Sequence, residues 1–297
     1  MIRLTIFVAF FSTILASGFE QAEPEDNTGE LEFQNVSTLS TDVAPNGDGV
    51  SVAANGDIYI SGGLEGKKIT RVTPEGDDSI FATGFESANG SDFDSKGNLY
   101  VADYRGNAIR KIEPDGTFST FAGDLNGPGG VYVDHEDNVI VGLFGINFSG
   151  DAATVLKITP GGTASELATG GGLNDVVGVA GDDNGRIFAA NWSTGELFEV
   201  TGGEVKPFVD IEGTVNQIEY AHGYIYVPNP QKHKILRVDL NGNVEEVAGT
   251  GESGSSDGPS ESATFDRPNS CGLSPDGQTL YVYDSNTGHV RKLISAD

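Results

Sequence analysis

The chain is short of almost everything that cross-linked or redox-active proteins rely on. It has one cysteine, one tryptophan, one methionine and four histidines in 297 residues. A lone Cys271 permits no internal disulfide, so the fold must be held by its core. Positive charge is scarce as well: 17 Lys and Arg stand against 44 Asp and Glu, a formal net charge of −27. Such an excess repels phosphate backbones and anionic headgroups, which excludes nucleic acid and a polybasic membrane contact as partners. Long apolar runs are missing beyond the start. Leu4 to Leu15 is apolar apart from Thr and Ser, follows the positive Met1-Ile2-Arg3, and gives way to small Ala16-Ser17-Gly18. That is the plan of a secretory signal peptide over 1–18, too short for a membrane span. The expectation is a secreted or periplasmic protein, with an acidic linker over 19–30 and one folded body over 31–297.

Helical periodicity is also absent. What is abundant is glycine, 42 residues, about twice the usual share. With many short aromatic and β-branched runs, that composition reads as short strands joined by turns. The runs recur. Ile58-Tyr59-Ile60, Leu99-Tyr100-Val101, Val139-Ile140-Val141, Ile187-Phe188-Ala189, Ile225-Tyr226-Val227 and Leu280-Tyr281-Val282 follow one another at intervals of roughly 40 residues or somewhat more. Most are preceded by tight-turn chemistry such as "AANGD", "DSKGN" or "SPDGQ", where Gly or Asn supplies positive φ. A third run follows in every unit, as in "KITRVTP" and "AIRKIEP", and a fourth in five of them. The sixth unit lacks its fourth run, and "FQNVSTLS" at 33–40 has the missing character. The repeat predicts an all-β, six-bladed β-propeller of four antiparallel strands per blade, whose last blade is closed by the N-terminal strand. Two stacked β-sandwiches would need neither a fixed repeat nor a split last unit.

In such a chain the tight hairpins lie on one face, and the connections from second to third strand and from blade to blade lie on the other. The second set is longer, notably 142–154 and 249–268, so a binding site is expected at that mouth of the central channel. Each inner strand there starts near an Asn: Asn46, Asn89, Asn126, Asn174, Asn216 and Asn269. Asp48, Asp92, Asp175 and Glu219 sit within three residues of four of them. A ring of amide and carboxylate oxygens suits a hard cation, and calcium's tolerance of irregular oxygen shells suits it better than magnesium's octahedron. On this reading Asn46, Asn174, Asn216 and Asn269 hold Ca2+ and Asp48 or Asp175 acts as base. The competing reading is structural, since Asn also caps tight bends through its own side chain.

Other groups on the mouth side could touch a ligand: Trp192 by stacking, Arg105 by charge, and His233 and His289 as neutral bases. Gly249-Thr250-Gly251-Glu252-Ser253-Gly254 matches a dinucleotide glycine pattern, and Gly254-Ser255-Ser256-Asp257-Gly258 a nucleophile elbow. Neither is followed by a helix, so neither has the geometry its chemistry needs.

The stretch "GTGESGSSDGPSESATFDRPNSCGLSPDGQTLYVYDSNTGHVRKL" (249–293) resembles an NHL repeat, as does "NLYVADYRGNAIRKIEPDG" (98–116). "RPNSCGLSPDGQTLYVYDS" (267–285) is also similar to the Pro-Asn-Gly segment of the gluconolactonase/regucalcin family. That resemblance implies a divalent-metal role for Asn269 and a metal-dependent hydrolase of small lactones or esters. The family's opening Glu-Gly-Pro segment corresponds here to "PNGDG", which has Asn46 and Asp48 but no Glu. NHL propellers as a class imply the alternative, a non-catalytic module for a peptide, glycan or partner protein. Either way the chain is expected to act as a monomer.

Overall fold

The computed structural model describes residues 31–41, 43, 46–149 and 152–295; the signal peptide and linker expected over 1–30 lie outside them. Six antiparallel sheets follow in chain order. Blade 1 is Val50–Val52, Ile58–Ser61, Lys68–Val72 and Asp78–Thr83. Blades 2 to 5 repeat the plan from inner strands Ala88–Phe93, Pro128–Val133, Val176–Gly181 and Glu219–Ala221. Blade 6 has Pro268–Leu273, Thr279–Asp284 and His289–Ser295, and takes its fourth strand, Phe33–Ser40, from the N-terminal side of the chain. The ring is therefore closed as the repeat implied. A two-residue strand, Gly258–Pro259, pairs with the outer side of Phe33–Ser40 and covers that edge.

The strand sequences explain the radial order. Second strands are sandwiched on both faces by neighbouring blades, and Ile58, Leu99, Val101, Val139, Val141, Ile225 and Val227 are wholly buried. Each such side chain contributes roughly 1.5–3 kcal/mol by burial. Fourth strands, such as Asp78–Thr83 and Ala164–Thr169, bury one residue and show the rest to water. The hairpins are fixed by carboxylates: Asp94 Oδ1 accepts N–H from Lys96 and Asn98, Asp134 Oδ1 from Glu136 and Asn138, and Asp182 Oδ1 from Asn184 and Arg186, all at 2.8–2.9 Å.

The inner strands pack side by side around a narrow channel because four of them carry glycine at one level. A Cβ on Gly49 would lie 2.8 Å from Asn89 O, on Gly90 2.8 Å from Gly129 O, on Gly130 2.2 Å from Val177 O, and on Gly178 2.4 Å from Asn216 O. Each blade's glycine thus makes room for the next blade's backbone.

The long crossing 249–268 is largely built into the fold. Ala263 and Phe265 are fully buried in the cluster that also holds Phe33, Leu280 and Val282. Arg291, wholly buried, donates to Asp284 Oδ2 (3.0 Å), Asp257 Oδ1 (2.9 Å), Thr264 O (2.9 Å) and Ser256 O (3.1 Å), and stacks over Phe265. One guanidinium fastens the crossing to the blade it precedes.

Candidate functional site

Strand register identifies which residues face one another at the mouth. Val50 pairs with Ile60, Ser91 with Val101, Val131 with Val141, Val179 with Ala189 and Cys271 with Val282, while in blade 5 Glu219 pairs with Tyr226. Counted back from these pairs, the equivalent positions at the mouth are Asp48, Asn89, Gly129, Val177, Asn216 and Asn269. The expected ring of six asparagines is therefore replaced by three amides, one carboxylate, one glycine and one valine. Asn46 lies two residues before its ring position and lines the rim with positive φ, 66°. Asn126 and Asn174 fall three residues early: Asn126 Oδ1 accepts the Ile146 N–H at 3.1 Å, and Asn174 donates its own N–H to Asn191 Oδ1 at 3.0 Å. They brace loops on the blade 3 and blade 4 side, and neither lines the cavity.

The cavity has a volume of about 240 Å³ and two unlike sides. Its polar side comes from blades 1, 2, 5 and 6 through Asp48, Asn89, Asn216 and Asn269. Asp48 is 7% exposed, and its Oδ1 accepts from Asn216 Nδ2 at 2.6 Å and Asn269 Nδ2 at 2.8 Å. Burial pushes its carboxyl up to about 6, and the two amide donors hold back part of that rise. Asn216 Oδ1 is buried without a partner, an acceptor left over at the cavity wall.

The other side is apolar and comes mainly from blades 2, 3 and 4: Tyr104, Phe144, Phe148, Val177 and Trp192, with Leu64 from blade 1. Phe144 stacks at 5.9 Å from Trp192 and 5.8 Å from Phe148. Tyr104 pins the intervening loop, its hydroxyl donating to Gly145 O and accepting from Phe148 N–H, both at 2.8 Å. Trp192 is 41% exposed and Phe148 54%, so this wall is open to a ligand.

The remaining expected residues separate. Asp175 is buried, but its Oδ2 accepts the Ser193 N–H at 3.1 Å and its carbonyl accepts the Trp192 N–H at 3.0 Å. It does not line the cavity; it positions Trp192, which does. Arg105 is paired with Glu65 at 2.7 Å outside the cavity. His233 lines a neighbouring groove and accepts the Arg267 N–H on Nδ1 at 3.2 Å. His289 pairs across the sheet from Asp284 at the mouth end of blade 6, but it does not line the cavity, and its buried Nδ1 has no partner among the described residues. The sequence reading thus brought Asp48, Asn46, Asn216, Asn269 and Trp192 to the site. Arg267, Phe144, Phe148 and Tyr104 were not singled out, and Asn89 was placed only in the Asn ring. Phe144 and Phe148 lay in a loop marked only by its length.

A second, smaller cavity of about 110 Å³ lies further along the channel, lined by Ser51, Asp92, Gln217, Glu219 and Cys271 among others. Burial, then the charge of Asp92, pushes the Glu219 carboxyl up to about 8, and burial pushes Asp92 up to about 6 against two backbone N–H donors. Among the described residues, no group of three or more His, Cys, Asp or Glu is placed to hold a metal ion. A hard cation at the mouth would have one carboxylate, Asp48, and the amide oxygens of Asn89, Asn216 and Asn269. The unpartnered Asn216 Oδ1 fits that donor set.

The chain has the six-bladed propeller fold of gluconolactonase-like proteins. A gluconolactonase from Xanthomonas campestris superposes with a TM-score of 0.71 at 15% identity, covering 89% of this chain and 90% of that one. An inactive virginiamycin B lyase from Staphylococcus aureus, solved with quinupristin, gives 0.62 at 14%, covering 90% of this chain and all of that one. An auxiliary nutrient binding protein from Bacteroides ovatus gives 0.71 at 15%, covering 90% and 78%. At these identities the likeness is one of fold, and it extends to proteins named for catalysis and to one named for binding. No family model and no curated protein matches the chain.

Proposed function

We propose that the mouth cavity is the active site of a hydrolase acting on small lactones or esters, assisted by a divalent cation such as calcium. The observation that carries this reading is Asp48: a buried carboxyl brought up to about 6, facing an aromatic wall across a cavity of about 240 Å³. A base with that pKa is ionised at neutral pH and still accepts a proton well. In this reading the apolar part of the substrate lies against Trp192, Phe144 and Phe148, which places its carbonyl over the polar side. Asp48 takes a proton from the attacking water, while the Asn216 and Asn269 amides steady its charge. Held by the amide oxygens of Asn89, Asn216 and Asn269, with Asp48 left as the base, the cation would supply Lewis-acid polarisation of the carbonyl and a lowered water pKa.

The test is calcium titration by calorimetry into protein stripped with EDTA, beside a turnover panel of lactones and aryl esters. Calcium-dependent turnover that falls about 10²- to 10⁴-fold in Asp48→Asn supports the reading. Turnover that survives the substitution, or none in the wild type with calcium present, overturns it. The single carboxylate at the mouth favours a second reading, a binding module for a small amphipathic molecule, in which the same cavity holds its ligand without reaction. Ligand-dependent quenching of Trp192 without turnover would select that reading.

A further inference from the structure

Among the described residues Arg267 is the one cation lining the mouth cavity, and it also lines the adjoining groove with Pro230, His233 and Asp266. Several other positive groups on this side have carboxylates of their own: Arg105 with Glu65, Lys67 with Glu86, Lys232 with Glu212 and Lys234 with Glu246. Arg267 forms no ion pair with any described residue. Every other arginine among the described residues has a carboxylate partner. The carboxylate next to it in sequence does not serve it: Asp266 Oδ1 accepts from Ser253 Oγ at 2.9 Å and from Asn286 Nδ2 at 3.0 Å.

The Arg267 backbone is held firmly. Its N–H donates to His233 Nδ1 at 3.2 Å, its carbonyl accepts from Ser285 N–H and Oγ, both at 3.0 Å, and its φ is 58°. A non-glycine residue in that region costs about 1–2 kcal/mol, so the surroundings impose the conformation. The result is a fixed base with its guanidinium unspent, near an aromatic wall and a polar floor.

We propose that Arg267 recognises a carboxylate carried by the ligand, so that the mouth takes small molecules with an aromatic or alkyl body and a carboxylate. This deepens the small-molecule reading of the mouth and rests on it. A planar fork of donors suits a carboxylate better than a hydroxyl, and a charge-assisted pair is roughly twice as strong as a neutral one.

The test uses the emission of Trp192, the sole tryptophan, titrated in EDTA with 3-phenylpropionate and with 3-phenylpropionamide, which differ only at the acid group. The wild type should prefer the acid by about tenfold. Arg267→Ala should abolish the preference, and Arg267→Lys should keep part of it. Equal affinity for the two probes, or a preference that survives Arg267→Ala, overturns the proposal. Calcium-dependent lactone turnover in the wild type together with equal affinity for the acid and the amide would sink it and leave the hydrolase standing. An Arg267-dependent acid preference with no turnover would do the reverse.

Discussion

The blade 6 seam and the channel mouth both remove charged groups from water, and they treat them in opposite ways. At the seam, Arg291 donates to Asp284, Asp257 and two carbonyls, although its Nε and Asp284 Oδ1 have no partner among the described residues. At the mouth, Asp48 faces amides rather than a cation, and among the described residues Asn216 Oδ1 has no donor and the exposed Arg267 no ion pair. A buried charge paired with its opposite serves the fold, because removing either member strands the other. Polar capacity left over in a cavity is capacity a ligand can use.

The largest effect should come from breaking the seam. Arg291→Ala leaves Asp284 buried opposite nothing and frees the 249–268 crossing. Chemical denaturation should show a loss of about 3–5 kcal/mol, and a loss under about 1 kcal/mol would contradict the clasp. Asp48→Asn, by contrast, should not weaken the fold.

Raised carboxyls occur in both regions, Asp284 at the seam to about 7 and Asp48 at the mouth to about 6, so pH tests individual groups in each and in the second cavity. The Glu219 carboxyl is brought up from 4.5 to about 8 and that of Asp48 from 3.8 to about 6. A carboxyl raised on folding binds its proton more tightly in the native state, so its favourable contribution is lost as pH rises through the folded value. Wild-type stability should therefore fall between about pH 4.5 and 8. Glu219→Gln should remove the upper part of that fall and be on the order of 2 kcal/mol more stable than wild type at pH 8. Asp48→Asn should flatten only the part between about pH 4 and 6, by roughly 1–2 kcal/mol. Unfolding midpoints across this range would test both. Identical slopes for wild type and Glu219→Gln would mean that Glu219 is not desolvated in solution.

The repeat made the fold legible. Turn residues, strand runs and the missing sixth outer strand all recur at one period, and each has a local cause. The site was half legible. Asp48, Asn216 and Asn269 stand out by type and place, but the ring was assigned to Asn46, Asn126 and Asn174 because asparagine marks both a loop brace and a ring position. Only register separates the two, and the bulges at Ala88–Ser91, Pro128–Val131, Val176–Gly178 and Pro268–Ser270 shift that register. Arg267 was invisible for another reason: whether an arginine is paired depends on where Asp266 turns.

The smallest structural effect belongs to Trp192, and that is what makes it informative. Its ring is 41% exposed and touches Phe144 at 5.9 Å, while the buried Asp175 fixes the backbone beneath it. Trp192→Ala should therefore change stability by about 1 kcal/mol or less, while weakening apolar ligands at the mouth several-fold through lost contact area. Calorimetric titration with phenylpropionate replaces the lost fluorescence signal. Asp175→Ala should weaken the same ligand and also destabilise the loop, since the Ser193 N–H would lose its acceptor. If both substitutions left affinity unchanged, the apolar wall would be packing between blades 3 and 4, and the mouth would be reduced to its polar side alone.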